Sequence, residues 1–343
     1  MYINRLETVS ENLVKVVKYA YDENGNRQKT TYGSGSGVAG TEYEYNDANF
    51  VKSLTNLSYG GDLSSYTYDY YLNGNQHTKS ESISGTTTTY TYDYAGRLSE
   101  EHEEKPGGVT LTKGYDYDRA GNRANLYLNG SNQPSTTYAY DKNNRLLTEV
   151  TVKGENIQTA SYVYDNNGNN LSKITETLKP KGDSQGAPLE TLNLIGFDDS
   201  GAGEDYSFEL NEYDAFNRLT KTFTNGFEAE YDYLANGYRN SKVVNGVKTS
   251  HVWDGGNIVA DYGVGVGNGG NNGNGGVNKY IYGIGLIANV SANSPSDKQY
   301  YMFNAHGDVV HMLNNSGVAV KSYEYDAFGV EQNIDPDDEN PFR

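Results

Sequence analysis

Cysteine is absent from all 343 residues, which removes disulfides, thiolate nucleophiles, iron–sulfur clusters and cysteine-type zinc sites together. The compartment stays open, because a large β protein needs no disulfides on either side of a membrane. Proline occurs 7 times, methionine 3 times and tryptophan once. The longest apolar run, around Ile281 to Val290, is far shorter than the ~20 residues of a membrane-spanning helix. No basic segment followed by an apolar stretch marks a signal peptide at the start. Positive charge is short as well. With 27 Lys and Arg against 45 Asp and Glu the formal charge is -18 and the isoelectric point about 4.6. Such a surface repels polyanions, so neither nucleic acid nor membrane insertion is expected.

Tyrosine, at 33 residues, and glycine, at 40, are abundant instead. A chain so acidic and so poor in large aliphatics would fall among disordered compositions. Tyrosine changes that, because its ring can be buried while its hydroxyl stays hydrogen-bonded. Glycine supplies turns. The mixture predicts many strands and many turns.

Self-similarity organises the chain. The unit Tyr-x-Tyr-Asp-x-x-Gly-(Asn/Arg)-(Arg/Leu) is carried by Tyr19, Tyr21, Asp22, Gly25 and Arg27, then by Tyr66, Tyr68 and Asp69, and by Tyr90, Tyr92, Asp93, Gly96 and Arg97. It returns at Tyr115, Tyr117, Asp118, Gly121 and Arg123, at Tyr138, Tyr140, Asp141 and Arg145, and at Tyr162, Tyr164, Asp165 and Gly168. Counting Tyr45, the second tyrosines from Tyr21 to Tyr164 step by 24, 23, 24, 25, 23 and 24 residues. Looser copies follow at Tyr213, Asp214 and Arg218, at Tyr231, His251, Tyr280 and Tyr301, and at Tyr323, Tyr325, Asp326 and Gly329, about thirteen in all. Each unit reads as a β-hairpin. Alternation places both tyrosines on one strand face, Asp opens the turn, and Gly or Asn supplies the left-handed residue that returns the chain. The remaining strand positions are largely Thr, Ser, Glu and Lys, so one face is expected to be aromatic and the other wet. Neighbouring hairpins then stack into a tyrosine ladder.

Two segments interrupt the period. Residues 179–209 read as an insertion or a degenerate unit between a repeat array at 1–178 and further repeats at 210–262. Residues 263–279 form a Gly/Asn-rich linker with few core-forming side chains, ahead of a last segment at 280–343.

The alternation of YDxxGNR (Tyr21 to Arg27, Tyr117 to Arg123) with YDxxGRL or YDxxNRL (Tyr92 to Leu98, Tyr140 to Leu146) resembles the Rhs/YD-repeat family. The tail strengthens the resemblance: Tyr280 to Ala288, the HGDVV segment from His306, Tyr323 to Gly329 and the terminal NPFR are similar to the N-terminal part of the Rhs-associated core, truncated at NPFR. The resemblance implies an all-β fold in which tandem YD-repeat hairpins form a spiralling sheet, part of a hollow β-shell as in bacterial Rhs toxins, toxin-complex C components and teneurins. It implies a non-enzymatic scaffold, secreted or at the cell surface, that encloses or presents a C-terminal toxin or effector polypeptide, with other repeat segments as partners and no cofactor. The alternative is an adhesin that binds carbohydrate or a partner protein through rows of tyrosine. Self-processing is a third reading, and no segment that would carry it is visible.

Other chemistry is weakly signalled. Three glycine patterns, from Gly35, Gly265 and Gly283, match a dinucleotide fingerprint, but none precedes a convincing helix whose N-terminus could hold a pyrophosphate. Asp22 to Asn26 and Asp165 to Asn169 resemble the opening of a calcium loop with glycine at the wrong position, so a hairpin turn is favoured. The histidines at 77, 102, 251, 306 and 311 are scattered, and His306 and His311 fit neither helical nor strand spacing for zinc. The run Asp335, Asp337, Asp338, Glu339 reads as a solvated tail.

Overall fold

The computed structural model describes residues 5–33, 39–179, 205–264, 276–291, 298–332, 334–335, 338 and 340–342. Most of the 179–209 segment, the centre of the Gly/Asn-rich stretch and most of the Gly35 pattern lie outside these residues. The described chain is all-β: 28 strands and no helix. Twenty-six strands belong to one antiparallel sheet. Most pairs join consecutive strands, as in Val14–Tyr21 with Arg27–Tyr32.

A register shift recurs at one place in the unit, just before the second aromatic residue. It falls between Ala20 and Tyr21, Glu44 and Tyr45, Thr91 and Tyr92, Ala139 and Tyr140, and Val252 and Trp253. Such a bulge is what a left-handed residue after a tight turn produces. The left-handed residues at these turns include Gly25, Asn49, Gly74, Gly96, Gly121, Asn144, Gly168, Asn217 and Gly329, with φ between 60° and 98°. Glycine or asparagine stands here because both tolerate this conformation.

The chain divides into two compact units. The first comprises Met1–Thr112, Leu234–Ser241 and Val247–Arg343. Here the tyrosine face of the early repeats is covered by the strands of the 276–325 region. Val16, Val17, Tyr19, Tyr32 and Ala39 share a core with Ile287, Ala288, Tyr300, Met302 and Leu313. Hydrogen bonds join the two layers: Tyr32 OH donates to the Tyr301 carbonyl at 2.7 Å, Asn56 Nδ2 to the Phe303 carbonyl at 3.2 Å, and the Ala305 amide to Tyr68 OH at 3.4 Å. Asn56 is fully buried yet satisfied, since it also accepts from Thr41 Oγ1 and donates to Ser64 Oγ. The segment read from sequence as standing beyond a linker therefore packs on the first repeats.

The second unit comprises Lys113–Tyr233 and Lys242–Gly246. Its opposite face is not wet. Strand register places Ile174 beside Phe208, Leu210 beside Phe223, and Ile157 beside both Val152 and Leu178. On this face Val152, Val163, Ile174, Leu178, Tyr206, Leu210 and Phe223 are exposed. The polar composition of the early repeats does not extend to these strands.

Candidate functional site

The repeat signature is a set of interlocking hydrogen bonds, and the aspartate is its hub. In the turn after Tyr92, Asp93 Oδ1 accepts from the amides of Ala95 and Arg97, both at 2.9 Å, while Oδ2 accepts from Arg97 Nε at 2.7 Å. The backbone closes the same loop, with Asp93 N donating to Arg97 O and Gly96 N to Asp93 O. Asp118, Asp141, Asp165 and Asp214 repeat the pattern. Asp326 makes the same two amide contacts, and Asp22 accepts from the Asn26 amide at 2.7 Å. Where the residue four places on is Asn or Arg, its side chain reaches Oδ2: Asn26, Asn122 and Asn169 do so at 2.7–3.0 Å, and Arg145 and Arg218 at 2.6 Å. The carboxyls of Asp93, Asp118, Asp141, Asp165 and Asp214 are accordingly held below the usual range. The leading cause is the donated side-chain hydrogen bond at Asp93, Asp118, Asp165 and Asp214, and the Arg145 amide at Asp141.

In most of the repeats up to residue 253 the second aromatic residue reaches back to the return strand of the preceding one. Tyr45 OH donates to Arg27 O at 2.9 Å, Tyr92 to Gln76 O at 3.0 Å, Tyr140 to Arg123 O at 3.0 Å, Tyr164 to Leu146 O at 2.9 Å, and Tyr233 to Leu219 O at 2.7 Å. Tyr21 and Tyr213 make the same kind of bond to Leu6 O and Asn170 O. Arginine adds a second tie. Arg27 lies 4.6 Å from the centre of the Tyr43 ring and donates to its hydroxyl at 2.8 Å, and Arg123 lies 4.8 Å from the Tyr138 ring. Arg145 and Arg218 cover Tyr164 and Tyr233. In the GNR class arginine meets the first tyrosine of the next unit, and in the RL class it meets the second. Replacing Tyr140 with Phe is expected to remove one such tie and lower stability by about 0.5–1.5 kcal/mol. A urea titration reads this as a lower midpoint, and an unchanged midpoint would mean that the rung carries no net energy.

Most first tyrosines are buried, with Tyr138, Tyr162 and Tyr231 only half-buried. Burial pushes the hydroxyls of Tyr43, Tyr68, Tyr90 and Tyr280 up, and that of Tyr66 to about 12, so all are neutral near pH 7. Tyr19, Tyr115, Tyr138, Tyr162 and Tyr323 hold the same place in their units, and Tyr117 and Tyr325 stand in the second position.

One unit is offset from the sequence reading. The turn after Tyr66 is opened by Tyr71 and not by Asp69: Tyr71 N donates to Asn75 O, and Gly74 N to Tyr71 O. Tyr70 is the bridging residue, donating to Val51 O at 2.8 Å. Asp69 lies within the strand Gly61–Tyr70, 3.6 Å from His77 and largely exposed. The repeated Tyr-x-Tyr at 66, 68 and 70 allowed two registers, and the bulge between Asp69 and Tyr70 selects the later.

A cluster not singled out by sequence lies where His251 and Trp253 replace the two tyrosines. Trp253 Nε1 donates to Arg239 O at 2.8 Å, as a tyrosine hydroxyl does elsewhere. His251 Nδ1 lies 2.6 Å from Asp261 Oδ1, Tyr280 OH donates to Asp261 Oδ2 at 2.9 Å, and Arg239 Nε donates to His251 Nε2 at 3.1 Å. A guanidinium can only donate, so Nε2 carries the lone pair and the ring proton sits on Nδ1, facing the carboxylate. The His251 side chain is 2 % exposed. Beside it, Tyr238 stacks on Trp253 at 4.7 Å and lines a recess with Leu234, Asn236 and Asn240. The imidazole lone pair that a general base would use is already engaged by Arg239. A histidine standing in a tyrosine position was the signal available in the sequence.

The other candidate motifs serve the fold. Gly25 and Gly168 are left-handed turn residues, and Gly285 precedes the strand Leu286–Val290. His306 Nε2 meets Gln76 Oε1 at 2.9 Å, and His311 lies between Ser64 and Ser322. Asp338 is buried against Lys321, so the acidic run at the end is not wholly a solvated tail.

Together these features define a tandem-repeat, all-β protein built from hairpins that lock onto their predecessors. No known family profile matches the chain. The chain is similar to the tRNA nuclease WapA of Bacillus subtilis strain 168, with 30% identity over 343 residues that cover 98% of this chain and 12% of that protein. It is also 33% identical over 132 residues to the tRNA3(Ser)-specific nuclease WapA of Bacillus spizizenii, covering 37% of this chain and 5% of the relative. The chain thus spans a small part of the length of the relatives it matches. Among solved structures, a TcdB2-TccC3 crystal structure has TM-score 0.44 or below; in one such structure the likeness covers 94% of this chain and 19% of that one at TM-score 0.43 and 12% identity. The Photorhabdus luminescens Tc holotoxin pore likewise gives TM-score 0.43 at 12% identity, covering 92% of this chain and 18% of that one.

These relatives correct the expectation of a purely non-enzymatic scaffold, with adhesion as its alternative: the similar proteins are named as nucleases acting on tRNA. The physical reason for the difference is that charge and repeat chemistry describe these 343 residues, whereas the named activity belongs to much longer polypeptides.

Proposed function

We propose that the chain is a repeat-bearing part of a tRNA-cleaving toxin of the Rhs/YD-repeat class, working outside the cell or at its surface. The observation that carries this reading is the 30% identity to a tRNA nuclease across 98% of the chain. In this reading residues 1–178 and 210–262 are repeats, 179–209 an insertion or degenerate unit, 263–279 a linker, and 280–343 the start of the family's core region. Other repeat segments of the same polypeptide are the expected partners.

The test incubates total tRNA with the purified chain and, separately, with the polypeptide encoded by the complete reading frame, and resolves the products on a denaturing gel. Discrete tRNA fragments from the complete polypeptide are the expected result. Fragments from the chain alone would support the same reading and place catalytic groups within these residues. Intact tRNA in both, across a range of divalent ions, would overturn the proposal.

A further inference from the structure

Three successive units turn their first tyrosines, Tyr280, Tyr301 and Tyr323, toward one short segment near the end of the chain. Asp338 Oδ1 lies 2.7 Å from Lys321 Nζ, and its Oδ2 accepts from Tyr323 OH at 2.7 Å; the carboxylate side chain is 3 % exposed. Asn340 is buried, and both ends of its amide are used. Oδ1 accepts from Tyr301 OH at 3.2 Å, and Nδ2 donates to Tyr323 OH at 3.0 Å. Asn289 Nδ2 holds Tyr301 OH from the other side at 3.1 Å. Phe342 inserts its ring against Tyr280 at 5.0 Å and Tyr301 at 6.0 Å, both edge to face.

The backbone of the segment is organised by its own side chains. Asn340 N donates to Asp338 Oδ1 and Phe342 N to Asn340 Oδ1, both at 3.1 Å, which makes two successive side-chain-capped turns. Pro341 between them has no amide to satisfy. Asp338, Asn340 and Phe342 lie in no strand, so they can leave the cleft without breaking a sheet hydrogen bond. A carboxylate for Lys321, an amide with both donor and acceptor engaged, and an aromatic ring set against two tyrosines together amount to recognition of particular side chains.

We propose that the cleft formed by Tyr280, Tyr301, Tyr323 and Lys321 is a peptide-binding site for an Asp-x-Asn-x-Phe turn, occupied by the chain's own Asp338, Asn340 and Phe342. An aspartate in the place of Asn340 cannot donate to Tyr323 and sets a second carboxylate near Asp338. The cleft therefore distinguishes amide from acid. Because the site is self-occupied, an external peptide sees only the fraction of molecules in which it is empty.

The test uses the full chain carrying F342A, shown to be folded by circular dichroism, and a fluorescein-labelled decapeptide with the sequence of residues 334–343. Fluorescence anisotropy is expected to show the peptide binding F342A at least about tenfold more tightly than the wild type. The same peptide carrying N340D should bind about tenfold more weakly or not at all. A chain carrying both K321A and F342A should lose the peptide while keeping its fold. If F342A does not fold, N340D in the full chain replaces it in the same titration. A folded variant that fails to bind the decapeptide, or that binds the N340D peptide equally well, overturns the proposal.

Discussion

Replacing Tyr301 with alanine is expected to lower the stability of the first unit by about 3–5 kcal/mol, the usual range for truncating a buried aromatic side chain. Tyr301 has no exposed surface and packs with Val309, Met312 and Tyr323. Its main-chain carbonyl accepts the Tyr32 hydroxyl, and its own hydroxyl joins Asn289 to Asn340. Truncation leaves a cavity between rigid strands, and it strips hydrogen-bond partners from amides that are poorly placed to find water. The Tyr94 side chain is fully exposed, so Tyr94→Ala should change stability by no more than about 0.5 kcal/mol. Urea unfolding followed by circular dichroism separates the two. Similar midpoints for both variants would show that the 301 position does not organise the core.

Acid should weaken the first unit in two stages, and the earlier one belongs to His311. The ring lies between Ser64 Oγ at 3.0 Å and Ser322 Oγ at 2.9 Å, and burial lowers its pKa from 6.5 to about 4. The unfolded chain takes up a proton near pH 6.5, whereas the folded chain does so only near pH 4. The contribution is therefore complete above pH 6.5 and is lost as pH falls from 6.5 to 4, reaching up to about 3 kcal/mol. His306, lowered chiefly by burial, acts in the same direction. In this unit Asp22 and Asp93 respond at lower pH: held below their ordinary value, they stabilise above it and lose that effect as pH falls through their folded pKa values. Urea midpoints measured from pH 7.5 to 3.5 should fall first in the histidine range, and His311→Gln should flatten most of that fall. A wild type whose midpoint is constant from pH 7 to 4.5 would refute the assignment.

Hairpin periodicity was legible because it depends on local chemistry. Alternating tyrosines, an aspartate and a residue able to adopt positive φ lie within seven positions, and strand, turn and return strand follow from them. The partner of each tyrosine hydroxyl was not legible, because a main-chain carbonyl about eighteen residues earlier leaves no trace in residue identity. The role of Asn26 or Arg97 at the turn aspartate was hidden for another reason. Both sit where the next strand begins, and either type is ordinary there. Tyr66, Tyr68 and Tyr70 offered two registers, and only the bulge distinguishes them. The wet outer face was inferred from the threonine-rich early strands, and it fails for Ile174, Phe208, Leu210 and Phe223 because those repeats replace hydroxyls with apolar side chains. His251 shows the limit of composition: its meaning depends on Asp261, Arg239 and Tyr280, which converge only through strand pairing.

The pairing of early repeats with late strands also dictates an order of events during synthesis. Ties between successive hairpins span only about one repeat and can form as soon as each hairpin leaves the ribosome, since short loops close quickly. The contacts that cover Tyr32 and Tyr68 are different: they join residues 269 and 237 positions apart. Until the strands Lys298–Phe303 and Val309–Leu313 emerge, the aromatic face of the first repeats has nothing to bury it. Translation thus passes through a long interval in which a growing, internally paired sheet displays sticky surface, the condition under which nascent chains aggregate or engage chaperones.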